Sequence, residues 1–292
     1  MPTARRRNTR TEAAKLNRSE TLGKRTNSRS DSLKLPISII TVVRNDPDGL
    51  GRTLDSYLAQ DRTGSEILVF DGNSNDGTMD VARSYGEAID LLHSAQDGGI
   101  FDAMNRAVER ATGDWILFMN AGDCFAAKDV LARVYPELKR TDAEILYGDV
   151  FLSFEAGTFL RRAGKPTDLW KGMICSHQSA IVRKDLLQRF PFDLNFALSA
   201  DYRFFVESYC NGARFSYLEF PISIFSVGGI SSQKFSSAFR ETMKIRKEFA
   251  LLTPRRRLYL LFYRGYTMLA GFIKSILPLS VLRAVFAGKY KT

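Results

Sequence analysis

Short β-branched apolar runs that alternate with segments of helical periodicity constrain the fold of this chain more than any other feature. Residues 36–43 form the first run, and residues 49–60 then place apolar side chains at helical spacing. A second run, residues 67–70, ends at seven turn-forming residues, 71–77. The alternation continues to a run at residues 115–119. The pattern predicts an α/β protein with a doubly wound, mostly parallel sheet flanked by helices.

Acidic side chains follow the ends of four predicted strands. In a doubly wound sheet, ligands bind beyond the carboxyl ends of the strands, where these loops meet. Several carboxylates on one rim repel one another, which predicts a divalent cation or a basic ligand group there. The alternative is that Asp is simply a common turn residue. The acidic residues concerned are Asp46, Asp48, Asp71, Asp76, Asp97, Asp102 and Asp123.

The net charge of +10 is distributed unevenly along the 292 residues. Residues 1–34 carry ten basic and three acidic side chains, residues 35–233 carry nineteen and twenty-seven, and residues 234–292 carry thirteen and two. The middle of the chain is therefore acidic, which disfavours a nucleic-acid-binding protein, and no recognition motif for nucleic acid appears there.

The charge distribution and composition predict three regions. Residues 1–34 form a disordered basic tail, residues 35–233 the α/β domain, and residues 234–292 basic amphipathic helices. The helices either lie on anionic lipid or pack on the domain as a hairpin. The longest uncharged stretch, residues 220–233, is shorter than the roughly 20 residues that span a bilayer. Three unpaired, widely spaced cysteines indicate a reduced compartment, the cytoplasm.

Four sequence blocks resemble a known family. Residues 36–45, 70–78 and 113–123 are similar to the signature blocks of family 2 glycosyltransferases, whose fold is called GT-A. Residues 97–105 are similar to the branch that builds bacterial exopolysaccharides such as colanic acid. The resemblance covers about residues 36–232. It implies a GT-A catalytic domain and an inverting transferase that takes a sugar from a nucleotide-diphosphate donor.

The resemblance also implies a donor site. Asp71 matches the aspartate that contacts the base and ribose, and Asp123 matches the last aspartate of the DxD element, which binds the metal. The first acidic position of that element is Asn120 here, which keeps a carbonyl oxygen for Mg or Mn but removes a charge. The donor-binding residues are then Thr41, Val43, Asn45, Asp71, Asp102, Asn105 and Asn120.

Inverting transfer needs a base for the acceptor hydroxyl and a group that stabilises the departing diphosphate. Asp201, near the start of a predicted helix, matches the family's catalytic carboxylate; its structural alternative is an ordinary helix-start residue. His177 and Gln178 match the acceptor or phosphate side, although a buried structural histidine is an equal alternative. Ser231, in a glycine-rich segment, is expected to contact phosphate as a lid closes.

Together these features predict an inverting glycosyltransferase that moves a sugar, from a UDP-sugar by preference, to a polyprenyl-linked glycan in exopolysaccharide or surface polysaccharide synthesis. The enzyme is expected to be cytoplasmic and peripheral at the anionic inner face of the membrane. A nucleotidyltransferase on a similar sheet is the alternative, but it needs a glycine-rich basic loop after the first strand, and residues 44–49 are acidic. The third hypothesis for the function is a basic nucleic-acid-binding protein.

Overall fold

The computed structural model describes residues 36–154, 157–226 and 235–276, which belong to one compact unit, Leu33–Thr292. The predicted basic tail, residues 1–34, lies outside the described residues. The same is true of the glycine-rich segment 228–232, which includes Ser231, and of residues 277–292.

Nine strands of the described residues form one sheet, in the order β3-β2-β1-β4-β8-β6-β9-β5, with β7 paired to β6. The strands are β1 (Ile37–Val43), β2 (Ser65–Asp71), β3 (Leu91–Ser94), β4 (Trp115–Phe118), β5 (Cys124–Phe125), β6 (Ile145–Phe154), β7 (Gly157–Arg161), β8 (Ala180–Arg183) and β9 (Phe215–Ser226).

The first four strands are parallel, as the alternation of strands and helices predicts. β1 pairs with β2 and β4, and β2 pairs with β3. Val43 lies opposite Asp71 in this register, so the loops after β1 and β2 leave the sheet side by side. The other half of the sheet is mixed: β8 is antiparallel to both β4 and β6, and β9 is parallel to β6.

Helices cover the sheet on both faces, and the alternation of side chains along β1 separates two hydrophobic cores. Ile40 packs with Met104 on one face, and Ile39 packs with Leu54 on the other. Burying such a side chain completely stabilises the fold by about 1.5–3 kcal/mol. The helices are α1 (Pro47–Leu58), α2 (Thr78–Ser84), α3 (Ile100–Arg110), α4 (Val130–Arg140), α5 (Lys184–Arg189), α6 (Ala200–Cys210), α7 (Phe235–Glu248) and α8 (Pro254–Ile276).

The two C-terminal helices contact the α/β core to different extents. In α7, Ile245 is fully buried, and the Glu241 carboxylate accepts a hydrogen bond from the Leu198 amide, just before α6. In α8, Leu260 is buried and Tyr259 packs edge-on against Trp170. None of the helices in the described ranges is both long and apolar enough to cross a membrane.

Candidate active site

The loop between β4 and β5 holds Asn120 and Asp123 and is fixed from beneath by α1. The Thr53 hydroxyl, which is completely buried, accepts a hydrogen bond from the Gly122 amide at 3.0 Å and donates to the Asp123 carbonyl at 2.7 Å. Gly122 has a φ of 92°, a conformation that glycine adopts readily and other residues rarely do. The turn therefore holds its two polar side chains in a defined position.

Asp123 is a buried carboxyl, with 5% of its surface exposed. One oxygen accepts a hydrogen bond from Gln178 Nε2 at 2.7 Å, and the other lies 3.4 Å from the Ser226 amide at the end of β9. Burial raises the pKa of Asp123 to about 6, although the Gln178 hydrogen bond and the nearby His177 oppose the shift. Asp123 is thus a desolvated acid that a positive charge would stabilise in its ionised form.

His177 joins this loop to the helix that carries Asp201. Its Nε2 lies 3.0 Å from Asn120 Nδ2, and its Nδ1 lies 3.5 Å from the Asp201 carboxylate. If the Asn120 amide donates to Nε2, the ring carries its proton on Nδ1 and directs it toward Asp201. His177 thus bridges the Asn120–Asp123 loop and Asp201, while its neighbour Gln178 contacts only the loop, through Asp123.

Asp201 lies in the first turn of α6, which confirms its predicted place near a helix N-terminus. Its Oδ1 accepts a hydrogen bond from the Tyr202 amide at 2.7 Å. Its side chain remains 19% exposed, against 20% for His177, so both can be reached by a ligand. The helix dipole favours the negative charge at this position.

The loop offers two oxygen groups that suit a hard cation. Asn120 Oδ1 is buried and has no hydrogen-bond partner, and the Asp123 carboxylate is desolvated beside it in the same turn. Carboxylate and amide oxygens are the usual ligands of Mg²⁺ and Mn²⁺. No group of three or more His, Cys, Asp or Glu side chains suited to a metal occurs in residues 36–154, 157–226 and 235–276. In the described part of the chain, the candidate cation site therefore has two side-chain groups, Asn120 and Asp123.

Most of the strand-end carboxylates have local structural partners. Asp46 caps α1 by accepting a hydrogen bond from the Gly49 amide, Asp76 accepts one from Thr78, and Asp97 accepts one from Gly99. These contacts support the turn alternative for the three residues. The repulsion argument for a shared cation therefore does not apply to Asp46, Asp76 and Asp97.

Asp71, at the end of β2, is 2% exposed and already bonded. Its carboxylate accepts hydrogen bonds from the hydroxyl groups of Ser74 and Ser94, the latter at 2.6 Å. Asn45, after β1, has a φ of 52° and accepts a hydrogen bond from the Asn75 amide at 3.0 Å. The loops after β1 and β2 are thus tied to each other, and the contact of Asp71 with a donor stays a prediction.

The remaining predicted donor residues differ in their surroundings. Thr41 and Val43 are buried in β1, and the Thr41 hydroxyl has no hydrogen-bond partner. Asp102 accepts a hydrogen bond from the Gly98 amide and forms an ion pair with Arg106. Asn105 Nδ2 donates a hydrogen bond to the Phe192 carbonyl, and Asn105 Oδ1 accepts one from the Phe192 amide. The polar groups of Asp102 and Asn105 therefore stabilise the fold around α3.

The sequence gives little indication of the part that Thr53 plays. It lies on the buried face of α1, where a threonine resembles any other small core residue. Only the pairing of α1 with a loop about 70 positions later shows that its hydroxyl fixes the Asn120–Asp123 turn. A buried hydroxyl among apolar helix positions was the single available signal.

Comparison with known proteins identifies the family to which the chain belongs. Residues 38–218 match the model of the family described as glycosyl transferase family 2. A protein of Mycobacterium tuberculosis named PGL/p-HBAD biosynthesis glycosyltransferase is 32% identical over 206 residues, which cover 67% of this chain and 78% of that protein.

Two solved structures share the fold at low sequence identity. Staphylococcus aureus TarS 1–349 in complex with UDP has a TM-score of 0.59 at 19% identity, covering 75% of this chain and 66% of that one. The mannosyltransferase PcManGT from Pyrobaculum calidifontis, in complex with GDP-Man and Mn²⁺, has a TM-score of 0.57 at 19% identity, covering 88% of this chain and 76% of that one. This chain spans only 39% of a longer TarS chain.

The fold and the family match together define a glycosyltransferase domain. The chain belongs to glycosyltransferase family 2. The predicted α/β fold of the GT-A type and the predicted glycosyltransferase class are therefore confirmed.

Proposed function

We propose that the protein is an inverting glycosyltransferase that moves a sugar from a nucleotide-diphosphate donor, preferably a UDP-sugar, to a hydroxyl of a lipid-linked glycan. One observation carries the proposal: the His177 ring contacts both the accessible Asp201 carboxylate and Asn120 in the buried Asn120–Asp123 turn. A base and a diphosphate-binding group at neighbouring positions are what such a transfer requires.

Asp201 is the proposed catalytic base. An acceptor hydroxyl is a weak nucleophile at neutral pH, so its proton must leave as the oxygen attacks the anomeric carbon. The carboxylate takes that proton, while the His177 Nδ1–H, 3.5 Å away, holds the carboxylate in orientation. Asn120 in turn fixes the His177 ring from its other nitrogen.

Asp123 and Asn120 are the proposed protein ligands of a divalent cation, Mg or Mn. When bound, the cation neutralises charge on the departing diphosphate. The unpartnered Asn120 Oδ1 and the raised pKa of Asp123 support this assignment, because both groups gain from a nearby positive charge. The Mn²⁺ in the PcManGT complex supports it by analogy of fold.

The loops after β1 and β2 are proposed to hold the nucleotide. Thr41, Val43 and Asn45 line the first strand and its end, and Asp71 lies level with Val43 in the neighbouring strand. The TarS complex with UDP supports a uridine donor by analogy. Ser231, which follows β9, is proposed to meet the donor phosphates, since β9 ends at the Asp123 contact of Ser226.

The proposal also includes the acceptor and the pathway. The acceptor is a lipid-linked glycan, and the enzyme acts in exopolysaccharide or surface polysaccharide synthesis at the cytoplasmic face of the membrane. The supporting observations are the similarity of residues 97–105 to that branch and the basic C-terminal region. The Mycobacterium tuberculosis relative takes part, by its name, in PGL/p-HBAD biosynthesis, and an assay with a lipid-linked glycan tests the acceptor proposed here.

Substitution Asp201→Asn tests the proposed base. It preserves the shape of the side chain but removes the proton acceptor, so acceptor-dependent UDP release should fall by about 10²-fold or more while UDP affinity stays within a factor of about two. Asp185→Asn is the matched control, because Asp185 also lies in the first turn of a helix but pairs with Arg183 away from the site. Retained turnover, or an equal loss of UDP affinity, would overturn the role.

A further inference from the structure

Exposed apolar side chains are concentrated on one helix. Of ten large hydrophobic side chains exposed among the described residues, six lie within nine positions of α8. The other four, Leu92, Ile100, Leu194 and Tyr209, are spread over the rest of the fold. Scattered exposed apolar residues are ordinary, whereas a contiguous patch marks an interaction surface. The six are Leu258, Tyr259, Leu261, Phe262, Tyr263 and Tyr266.

The outer face of α8 is the apolar one. Leu260 is 2% exposed and points to the core, whereas Leu261 and Phe262 are 66% and 72% exposed. With Leu258 and Tyr266 they follow the i, i+3, i+4, i+8 spacing of one helix face. We call these four residues the apolar face of α8. A helix that only packs on a domain carries polar side chains on its outer face, so the apolar face of α8 is suited to a second partner.

The charge around this face identifies the kind of partner. Arg255 and Arg257 are exposed in the first turn of α8, and no acidic residue follows Glu248. A helix with Leu, Phe and Tyr on one face and arginines beside it is typical of segments that lie in the headgroup region of anionic bilayers. A second copy of the chain would place the same excess of positive charge against this face, which opposes self-association.

We infer that α8 lies along an anionic phospholipid surface, with its apolar face inserted among the lipids and its arginines on the headgroups. Because no helix in the described part of the chain can cross a bilayer, α8 rests on the surface. Tyrosine suits this position, since its ring is apolar and its hydroxyl remains in the wet layer.

Contacts through Leu169 and Trp170 connect α8 to α6, the helix that carries Asp201. The Arg256 guanidinium lies 5.0 Å from the centre of the Trp170 ring, and Tyr259 packs on the same ring. The Leu169 carbonyl, next to Trp170, accepts a hydrogen bond from the Tyr202 hydroxyl at 2.6 Å, and Tyr202 follows Asp201. A lipid-bound α8 would thus hold the Asp201 side of the site toward the membrane. This last step rests on the proposed function, whereas lipid binding does not.

Co-sedimentation of the full chain with lipid vesicles tests the inference without any sugar donor. Wild type should bind vesicles of phosphatidylglycerol and phosphatidylcholine and bind pure phosphatidylcholine much less. The double variant Leu261→Ser/Phe262→Ser should lower the partition coefficient about tenfold or more, because two inserted apolar side chains are lost. The control Leu92→Ser/Leu194→Ser removes two exposed apolar side chains elsewhere and should bind as wild type does.

Further measurements distinguish lipid from the other groups that could cover the apolar face of α8, which are residues 277–292 and a second copy of the chain. Arg255→Gln/Arg257→Gln should weaken binding to the anionic vesicles and reduce its salt dependence. The inference is overturned if wild type does not bind the vesicles or if the Leu261/Phe262 variant binds them equally. It is overturned as well if only a chain ending at Ile276 binds, because residues 277–292 would then be what covers the apolar face of α8. It is also overturned if light scattering shows a dimer that the Leu261/Phe262 variant loses. Failure of sugar transfer would leave these results unaffected.

Discussion

Replacing Asp123 with Asn should make the metal-free protein more stable at neutral pH, although it removes a proposed site residue. Burial raises the pKa of Asp123 from 3.8 to about 6. Above pH 6 the folded protein therefore holds a desolvated charge that the unfolded chain exposes to water. Asn is neutral and of similar shape, and its side-chain oxygen can still accept the hydrogen bond from Gln178.

The size of the stability gain follows from the shift in the pKa of Asp123. A difference of about two pKa units corresponds to about 3 kcal/mol between the two protonation states. Because the folded state binds this proton more tightly, the free energy of unfolding falls as pH rises from 3.8 to about 6 and levels off above that. The variant should thus gain about 3 kcal/mol, or roughly 6–12 °C in Tm, at pH 8 and nothing near pH 4.

Thermal unfolding followed by circular dichroism in EDTA, between pH 4 and pH 8, measures the effect. Asp76→Asn is the control with the opposite sign, because hydrogen bonds from Thr78 lower the pKa of the exposed Asp76 carboxyl. That variant should lose a little stability at pH 8. Adding Mn²⁺ with UDP should raise the Tm of wild type and leave Asp123→Asn unchanged. An Asp123→Asn variant that is less stable at pH 8, or whose difference does not vary with pH, would refute the reasoning.

Two further predictions concern the support of the site and of the sheet. Thr53→Val should destabilise the protein by about 1–3 kcal/mol and lower kcat/KM, because a buried hydroxyl that fixes the β4–β5 loop is lost. Thr53→Ser keeps the hydroxyl and should retain most activity. Equal effects of the two substitutions would contradict this role. Gly113→Ala should lower the free energy of unfolding by more than about 2 kcal/mol in chemical denaturation, since the new Cβ would lie 2.7 Å from the β1 backbone. Gly77→Ala, which has open space around the new Cβ, is the control and should leave the free energy of unfolding unchanged. A tolerated Gly113→Ala would show that the sheet can adjust there.

Local patterns were sufficient to predict the parallel half of the sheet. The β-branched run of β1 and the helical spacing of α1 are signals within single segments, and both elements lie within a few residues of their predicted bounds. The antiparallel pairing of β8 with β4 and β6 has no such signal. It depends on which strand edges are left open once the rest of the chain has packed, and no local pattern records that.

The same distinction applies to the site. Asp123, His177, Gln178 and Asp201 were predicted on motifs and do lie together, although their roles stay predictions. What the motifs do not contain is how each polar group is satisfied. Asn105 is bonded to the Phe192 backbone, 87 positions away, and such partners follow only from tertiary packing.

The configuration of the transferred sugar tests the central claim most directly. The full chain would be incubated with an α-linked UDP-sugar, Mn²⁺ and a synthetic polyprenyl-diphosphate glycan, and the product analysed by NMR for its anomeric coupling. Attack by a hydroxyl that Asp201 deprotonates, on the face opposite the diphosphate, predicts a β-linked product and none with Asp201→Asn. An α-linked product, or the same yield from Asp201→Asn, would contradict the account.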